Sequence, residues 1–297
     1  MSDVKEQRVR CWIFAFILLL PVASAAAMIA PVSGVFALQS GTAHAKGYLN
    51  ATAAPPDPLV QHLDIWMTPQ GSDKPIRRYG LDMTKLMHVI VVSDDLSQFM
   101  HIHPVLQADG HFAIDQRFAR PTTYHVYADA EPAGVGHQVF RFDLKLGGVS
   151  GPRHLGPSSA RYVPVGPYSV ACSTTAMKAG QETVLAIHVR RGGKPATDLH
   201  PYLGALAHVV VIDARDLSYV HVHPMPLGTA SNHTAGMDMA QMSHMPMGAM
   251  PVLSETATSS PDMQLHLTLR ERGIYKMWIQ FRGGDALYVA PFVVTAV

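Results

Sequence analysis

Short apolar runs rich in β-branched and aromatic residues follow one another along most of the chain, and turn residues separate them. No segment after the N-terminal region shows a convincing apolar stripe with the period of about 3.6 residues expected for an amphipathic helix. Runs of this kind between Gly, Pro, Asp and Ser are typical of strands in small antiparallel sandwiches. In the first half, the pattern predicts strands at residues 63–67, 88–92, 99–103, 124–128 and 139–146. The chain is therefore predicted to be all-β.

The apolar pattern of the first half returns in the second half, shifted by 120 positions. This shift places Lys85-Leu-Met-His88-Val-Ile-Val-Val on Ala205-Leu-Ala-His208-Val-Val-Val-Ile. It also places His101-Ile-His103-Pro104 on His221-Val-His223-Pro224. Solenoid repeats are about 20–50 residues long, so the longer period indicates a duplicated domain.

The stretch 147–167 between the repeats is rich in Gly, Pro and Ser and lacks apolar periodicity, which is typical of a linker. We therefore predict a first β-sandwich at residues 58–146 and a second at 168–297. The second sandwich includes a loop rich in Met and His at 225–262. The predicted architecture is two tandem small antiparallel β-sandwich domains, and the strand pattern is compatible with both the immunoglobulin-like and the cupredoxin-like type.

Residues 1–45 have the features of an export signal. The basic residues Lys5, Arg8 and Arg10 precede the stretch 11–38, which contains no charged residue. Ala43-His44-Ala45 matches a small-x-small cleavage site, whereas an apolar stretch this long can also stay in a bilayer as a helix. The segment is thus predicted to be a signal peptide or an inner-membrane anchor helix. Either alternative places the rest of the chain in the bacterial periplasm or cell envelope.

Composition excludes several classes of function. The formal charge is +1, from 23 Lys and Arg against 22 Asp and Glu, so no basic face is available to bind nucleic acid. The two cysteines, Cys11 and Cys172, are too few for a disulfide framework or for a cysteine-ligated zinc or iron–sulfur site. In contrast, 17 His and 16 Met are an unusually large supply of side chains that bind metal ions.

Each repeat carries a His-x-His pair, and residues two apart on a strand point to the same face. A turn at residues 93–97 returns the chain along the preceding strand and brings its first histidine near Ile102. The strand register then decides whether this third ring joins the pair. The candidate metal ligands are His88, His101 and His103 in the first repeat, and His208, His221 and His223 in the second. Buried histidines that only make structural hydrogen bonds are the alternative.

The second repeat contains an insertion rich in methionine. Seven residues (105–111) follow the first His-x-His-Pro motif before the next strand, whereas 38 residues (225–262) follow the second. Few other apolar residues accompany the methionines, so burial does not explain them, and thioethers favour Cu(I). The candidate ligands are His233, Met237, Met239, Met242, His244, Met245, Met247 and Met250. The alternative is a low-complexity linker with chance methionines.

Several of these motifs resemble those of exported bacterial proteins found with copper-handling genes, whose domains are similar to the YtkA-like, immunoglobulin-like class. The resemblance rests on Leu86-Met-His88-Val-Ile-Val-Val-Ser-Asp-Asp-Leu-Ser97, His101-Ile-His103-Pro104, Pro201-Tyr-Leu-Gly-Ala-Leu-Ala-His208 and His221-Val-His223-Pro224. Residues 237–250 separately resemble the Met/His tracts of periplasmic copper-resistance proteins. The resemblance implies metal handling outside the cytoplasm and assigns no individual ligand.

The sequence favours an exported copper-binding protein that buffers, sequesters or transfers Cu(I), and also Cu(II), for resistance or delivery. A copper exporter, an oxidase or another metal acceptor is the expected partner. No GxSxG, HExxH or Ser/His/Asp motif occurs, and no carboxylate lies within the His-x-His pairs, so we predict no enzymatic activity. Two alternatives stay open. One is a membrane-anchored structural or assembly module that binds a protein partner, and the other is a metalloenzyme with three His ligands and an open coordination position.

Overall fold

A computed structural model describes residues 27–29, 44–153, 155, 160–229 and 252–297. Most of the predicted signal or anchor segment and the candidate ligands of the Met-rich loop lie outside these residues. The described part of the chain consists of strands, turns and extended segments. It contains no helix of the length and apolar character needed to cross a membrane. The all-β fold with two repeated antiparallel domains, predicted from the sequence, is confirmed.

The first domain contains two sheets. Its strands are β1 (Ala27–Ile29), β2 (Ala45–Ala54), β3 (Asp57–Pro69), β4 (Tyr79–Gly80), β5 (Met87–Ser93), β6 (Phe99–Ile102), β7 (Val105–Leu106), β8 (Phe112–Arg117), β9 (Thr123–Pro132) and β10 (Gln138–Lys145). The first outer sheet has the order β1-β2-β3-β8-β7. The first inner sheet has the order β10-β9-β5-β6, with β4 also paired to β9.

The second domain repeats this arrangement. Its strands are β11 (Tyr162–Val165), β12 (Tyr168–Cys172), β13 (Ala176–Met177), β14 (Glu182–Arg191), β15 (Lys194–Pro195), β16 (Leu199–His200), β17 (His208–Asp213), β18 (Tyr219–Val222), β19 (Met225–Pro226), β20 (Asp262–Thr268), β21 (Gly273–Gly283) and β22 (Ala286–Ala296). The second outer sheet has the order β11-β12-β14-β20-β19, with β15 on β14. The second inner sheet has the order β13-β22-β21-β17-β18, with β16 on β21, and only its β13–β22 pair is parallel among the described strands.

Each sandwich encloses its own apolar core between an outer and an inner sheet. In the first domain, Ile65 of the outer sheet and Val91 of the inner sheet belong to one buried cluster. In the second domain, Ile187 and Val211 take the corresponding places. Burial of these β-branched side chains on the inward faces explains the alternating pattern of the outer strands.

A third core lies between the two inner sheets and joins the domains. It includes Ile90 and Tyr127 from the first domain and Val210, Tyr219 and Trp278 from the second. The rings of Tyr127 and Tyr219 stack with their centroids 4.8 Å apart. Their close packing fixes the inner sheets against each other, so residues of both repeats meet at this interface.

This third core explains why the central runs 89–92 of β5 and 209–212 of β17 are apolar without interruption. In β5, Val89 and Val91 point into the first sandwich, whereas His88, Ile90 and Val92 point toward the second domain. Every residue of both strands is buried. An antiparallel strand with one wet face would show polar residues at alternate positions. The absence of polar residues at these alternate positions indicates that each sheet is covered on both faces.

Three strands, β1, β2 and β11, lie outside the predicted sandwich boundaries. The strand β2 pairs with β3 along most of its length, although it begins before residue 58. The strand β11 lies within the predicted linker 147–167 and forms the edge of the second outer sheet. Another part of that stretch runs along the domain interface, where the Lys276 Nζ atom donates to the Leu155 carbonyl oxygen at 2.8 Å.

Candidate metal centre

The register of the inner sheets places the third histidine of each repeat beside the His-x-His pair. Val89 pairs with Ile102, so His88 lies opposite position 103 rather than opposite Ile102 as predicted. Because the register differs by one residue from that expectation, the ring lies on the same face as both rings of the pair. The second repeat has the same register, with Val209 paired to Val222. The structure thus brings each predicted triad together.

In the first triad, three imidazole nitrogens approach one another closely. His88 Nδ1 lies 2.9 Å from His101 Nε2 and 3.2 Å from His103 Nε2. The Nε2 atoms of His101 and His103 are 3.0 Å apart. For metal–nitrogen bonds of about 2.0 Å at tetrahedral angles, ligand nitrogens lie about 3.3 Å apart. The observed separations are close to this value, so the three atoms can hold one metal ion.

The second triad is built in the same way around its central ring. His208 Nδ1 lies 3.2 Å from His221 Nε2 and 2.9 Å from His223 Nε2. In each triad the central ring is fully buried and one ring of the pair is half-buried. The half-buried rings, His103 and His223, are the members of the triads that solvent reaches.

Backbone carbonyl groups determine which nitrogen of the central ring carries hydrogen. His88 Nε2 donates to the Asp82 carbonyl oxygen at 3.2 Å, and His208 Nε2 donates to the Tyr202 carbonyl oxygen at 2.9 Å. A carbonyl oxygen only accepts hydrogen bonds, so in the neutral ring the Nδ1 atom carries a lone pair. This lone pair points at the other two rings. Such second-shell bonds are typical of histidines that bind metal ions.

The turns that supply these carbonyl groups are matched in the two repeats. An isolated antiparallel β-bridge joins Asp82 to Lys85, and an equivalent bridge joins Tyr202 to Ala205. Between them, Met83 and Leu203 both have a positive φ, of 53° and 51°. This left-handed conformation is unfavourable for side chains larger than Gly and is enriched at functional sites. Both repeats thus keep a strained turn where it positions the central ring.

Five rings of the two triads stay uncharged well below neutral pH. Burial, together with the neighbouring histidines, lowers the pKa of His88 to about 4 and that of His103 to about 3. Burial also lowers the pKa values of His101, His208 and His223 well below the usual value. Neutral imidazole is the form that binds metal ions.

The two triads form one cluster across the domain interface. The ring centroids of His101 and His208 are 4.9 Å apart, and those of His88 and His221 are 5.4 Å apart. These values are similar to the distances within each triad. In addition, His101, His208 and His221 form a second group whose ligand atoms lie within 4.8 Å of one another. We call the six rings, His88, His101, His103, His208, His221 and His223, the six-histidine centre.

Each repeat orients a ring that belongs to the other repeat. His101 Nδ1 donates to Gln280 Oε1 of the second domain at 2.8 Å. His221 Nδ1 faces Asp129 Oδ2 of the first domain at 3.7 Å, which is longer than a hydrogen bond. Gln280 pairs with His208, and Asp129 pairs with His88, so these two side chains occupy equivalent positions. Because each of these side chains faces a ring of the other repeat, the positions of the rings depend on how the two domains pack together.

Two buried carboxylates lie beside the six-histidine centre. Asp129 accepts a hydrogen bond from the Tyr219 hydroxyl at 3.0 Å and pairs with His137 through its other oxygen. Although burial opposes ionisation, His137 and His221 hold the pKa of Asp129 below its usual value. Asp82 Oδ2 lies 3.6 Å from His88 Nε2 and has no hydrogen-bond partner. Burial, reinforced by Asp129, raises the pKa of Asp82 to about 6.

The described ends of the Met-rich loop lie next to the centre. Met225 follows the second His-x-His-Pro motif directly. At the other end, the Leu253 amide donates to the Gly204 carbonyl oxygen at 2.9 Å, within the turn that positions His208. Gly204 has a φ of +82°, and a Cβ atom there would come within 2.7 Å of Val252, so a glycine is needed for this contact. The candidate ligands between residues 230 and 251 lie outside the described residues.

Sequence reasoning missed that the triads meet and that Asp82, Asp129, Gln280 and Tyr219 surround them. One signal was present. The uninterrupted apolar runs of β5 and β17 indicate strands that are buried on both faces. In an antiparallel domain this implies a second covering surface, and the other repeat was the available candidate. The spacing of these four residues along the sequence does not identify them as neighbours of the histidines.

The apo protein is expected to lose stability as the pH falls from 6.5 toward 4. The unfolded chain protonates His88 near pH 6.5, whereas the folded chain does so only near pH 4. Between these values the unfolded state binds more protons, so the free energy of unfolding decreases by up to about 1.4 kcal/mol per pH unit for each such residue. Urea titrations at several pH values measure this slope.

His88→Gln should flatten this pH dependence, because it removes one residue with a lowered pKa. His62→Gln removes an exposed histidine and serves as the matched control. A slope that is equal in the wild type and in His88→Gln would contradict the assignment of His88 to the buried neutral cluster.

Comparison with known proteins agrees with the duplication. A family model described as "Domain of unknown function (DUF8832)" matches residues 59–146 and 163–297, which include both repeats and more than half of the chain. A search of the curated proteins finds no significant match.

Proposed function

Because the chain belongs to the DUF8832 family, whose description names no function, we propose its function from the six-histidine centre. The protein is an exported copper-binding protein that buffers, sequesters or transfers copper outside the cytoplasm. Its six-histidine centre holds the metal ions, and its Met-rich loop captures Cu(I) or passes it on. No enzymatic step is part of this function.

The main support is the convergence of two imidazole triads in a buried interface. In each triad a backbone carbonyl group takes the only hydrogen of the central ring and leaves its lone pair facing two further rings. Two such lone pairs repel each other unless a cation or a proton lies between them. Since burial lowers the pKa values of five of the six rings, metal ions are favoured over protons at this position.

The type of ligand supports copper among the first-row metals. Imidazole suits Zn, Cu, Fe and Ni, and no carboxylate or thiolate belongs to either triad. The six methionines between residues 237 and 250 add thioethers, which favour Cu(I). Both described ends of this loop flank the centre, so a loop-bound ion has a short path to the histidines.

The predicted export segment supports a location outside the cytoplasm. Basic residues followed by the uncharged stretch 11–38 are typical of signal peptides and of N-terminal anchors. In the bacterial cell envelope, the partner is a copper exporter, an oxidase or another protein that accepts the ion.

Copper titration of the purified protein under reducing and oxidising conditions tests this proposal. We expect tight Cu(I) binding in competition with a chromophoric chelator. Replacing the six loop methionines by Ser should remove the part of Cu(I) binding that persists below about pH 4, because thioethers do not bind protons in this range. Copper bound by imidazoles should weaken there, since protonation of His88 near pH 4 removes one of the ligands.

A matched control replaces exposed residues that carry no soft ligand, namely Ser254, Thr256 and Thr258, by Ala. Failure of the wild type to outcompete a weak chelator in either oxidation state would overturn the copper proposal. Survival of the acid-resistant fraction after the methionine substitutions would overturn the role of the loop.

A further inference from the structure

A cleft of about 740 Å³ lies between the two domains, at the turn that joins β5 to β6. One wall consists of this turn with Phe99 and Arg120, and the other consists of side chains from β21 and β22 of the second domain. None of the six histidines of the metal centre lines it. Its volume falls within the range of about 300–1,000 Å³ that is typical of sites for small molecules.

An arginine fills the equivalent place in the other repeat. The strand registers make Trp278 the counterpart of Tyr127, and they make Pro291 the counterpart of Arg141. Arg141 is 7% exposed, and its Nη1 atom donates to the Asp216 carbonyl oxygen at 2.9 Å. Pro291 is exposed, and a proline side chain is shorter and has no donor. The space that Arg141 occupies in one repeat is therefore open beside Pro291 in the other.

The turns at these two places have the same backbone conformation but different neighbours. Leu96 and Leu217 both have a positive φ, of 57° and 63°. The Tyr127 hydroxyl donates to the Leu217 carbonyl oxygen at 2.8 Å. Its counterpart Trp278 instead stacks on Phe99, with ring centroids 5.2 Å apart. The cleft thus exists because an indole and a proline ring replace the two polar side chains that close the equivalent groove.

The side chains that line the cleft carry an excess of positive charge. Lys276 and Arg120 are cationic, and Asp95 is the one carboxylate in the printed lining of the cleft. Asp95 pairs with Arg120, and Lys276 is 8% exposed. Charges at the border of a protein interior interact more strongly than they do in water. Two cations against one carboxylate therefore favour an anion in the cleft.

Arg120 has a hydrogen-bond donor that no described residue accepts. Its Nη2 atom donates to Asp95 and, at 2.9 Å, to Ser97 Oγ. Its Nε atom is buried and has no hydrogen-bond partner among the described residues. A buried donor without an acceptor costs free energy, and a carboxylate is a strong acceptor for a guanidinium group. A bound carboxylate would supply the missing acceptor.

We propose that this cleft binds a small organic carboxylate with an apolar body, such as an aromatic acid. The carboxylate group pairs with Arg120 close to the charge of Lys276. The apolar body lies against Phe99, Val289 and Pro291, which line the same cleft. The site is independent of the proposed metal-binding function, since it shares no residue with the six-histidine centre.

Phenylacetate is the probe that tests this proposal, and phenylacetamide is an uncharged control of the same shape. Each is titrated into the metal-free full-length protein, and the indole N–H of Trp278 is followed by proton–nitrogen NMR. We expect saturable shifts with a Kd of about 1 mM for phenylacetate, in the range for a ligand of about ten heavy atoms. Phenylacetamide should bind about 10-fold more weakly or worse, because it cannot form charge-assisted hydrogen bonds.

Pro291→Arg introduces the side chain that fills the equivalent place in the other repeat, and it should abolish the phenylacetate shifts. Because this variant adds a positive charge, loss of an anion reports lost space rather than lost attraction. Pro195→Arg, at an exposed proline of the second outer sheet, is the matched control and should leave the Kd unchanged. Arg120→Gln should remove most of the preference for phenylacetate over phenylacetamide.

Three outcomes would overturn the inference. The first is the absence of a saturable Trp278 shift up to about 10 mM phenylacetate, tenfold above the expected Kd. The second is phenylacetate binding that Pro291→Arg leaves unchanged, which would place the probe elsewhere. The third is equal affinity for the two probes. Val289→Phe narrows the same cleft, so the second outcome can be read even if Pro291→Arg does not fold. The copper titrations are separate, so none of these outcomes bears on the proposed function.

Discussion

His101→Ala should weaken metal binding to the six-histidine centre by about 100-fold or more, because loss of a second-shell partner alone costs about 10- to 100-fold. His101 is the one residue common to both ligand groups found among the described residues. Its Nε2 atom lies close to His88 and His103, and its ring contacts those of His208 and His221. Competition titration with a chromophoric chelator measures the effect.

The control for this substitution is His62→Ala, which also removes one imidazole but from an exposed position on the first outer sheet. It should leave the metal affinity unchanged. His101→Gln offers a second variant that fills more of the buried space and keeps a polar group, should the alanine variant fold poorly. Metal affinity equal to that of the wild type in a folded His101 variant would refute the role of this ring as a ligand.

Tyr127→Ala should lower the free energy of unfolding by about 3–5 kcal/mol, the range measured when large buried aromatic side chains are truncated. Tyr127 is fully buried between the inner sheets and stacks on Tyr219. Its hydroxyl also donates to the Leu217 carbonyl oxygen of the second domain at 2.8 Å. The substitution therefore removes a ring from the core that joins the repeats. Chemical denaturation monitored by circular dichroism measures the change.

Tyr162→Ala makes the same chemical change at a side chain that is 61% exposed, and it should alter the free energy of unfolding by less than about 0.5 kcal/mol. Tyr127→Phe separates the two contributions, since it keeps the ring and removes the hydroxyl, including its hydrogen bond to Leu217; such a bond is worth about 1 kcal/mol. If Tyr127→Ala were as mild as Tyr162→Ala, the inner sheets would not be packed together in solution.

The strand pattern and the duplication could be predicted because both depend on local sequence. Alternation of apolar residues follows from the period of a strand, and a repeat is visible as direct similarity. The triads could be predicted only in part. The spacing of His101 and His103 places both rings on one face of a strand, but the position of His88 depends on the register, which differed by one residue from the expectation.

The surrounding residues could not be predicted, because their roles depend on contacts between distant parts of the chain. Gln280 meets His101 across 179 positions of sequence, and Asp129 meets Tyr219 across 90. A buried glutamine or aspartate carries no local signature of its partner. Only the packing of one inner sheet on the other brings them together.

The sequence by itself determined the all-β repeats, the two His-x-His pairs and the supply of soft ligands in the loop, since residue type and short-range periodicity specify these features. The tertiary structure decided that the two triads form one centre with two buried carboxylates beside it. The reason is physical. Strands β5 and β17 are apolar on both faces, and burying the second face of each against the other places His88 and His208 at a single interface.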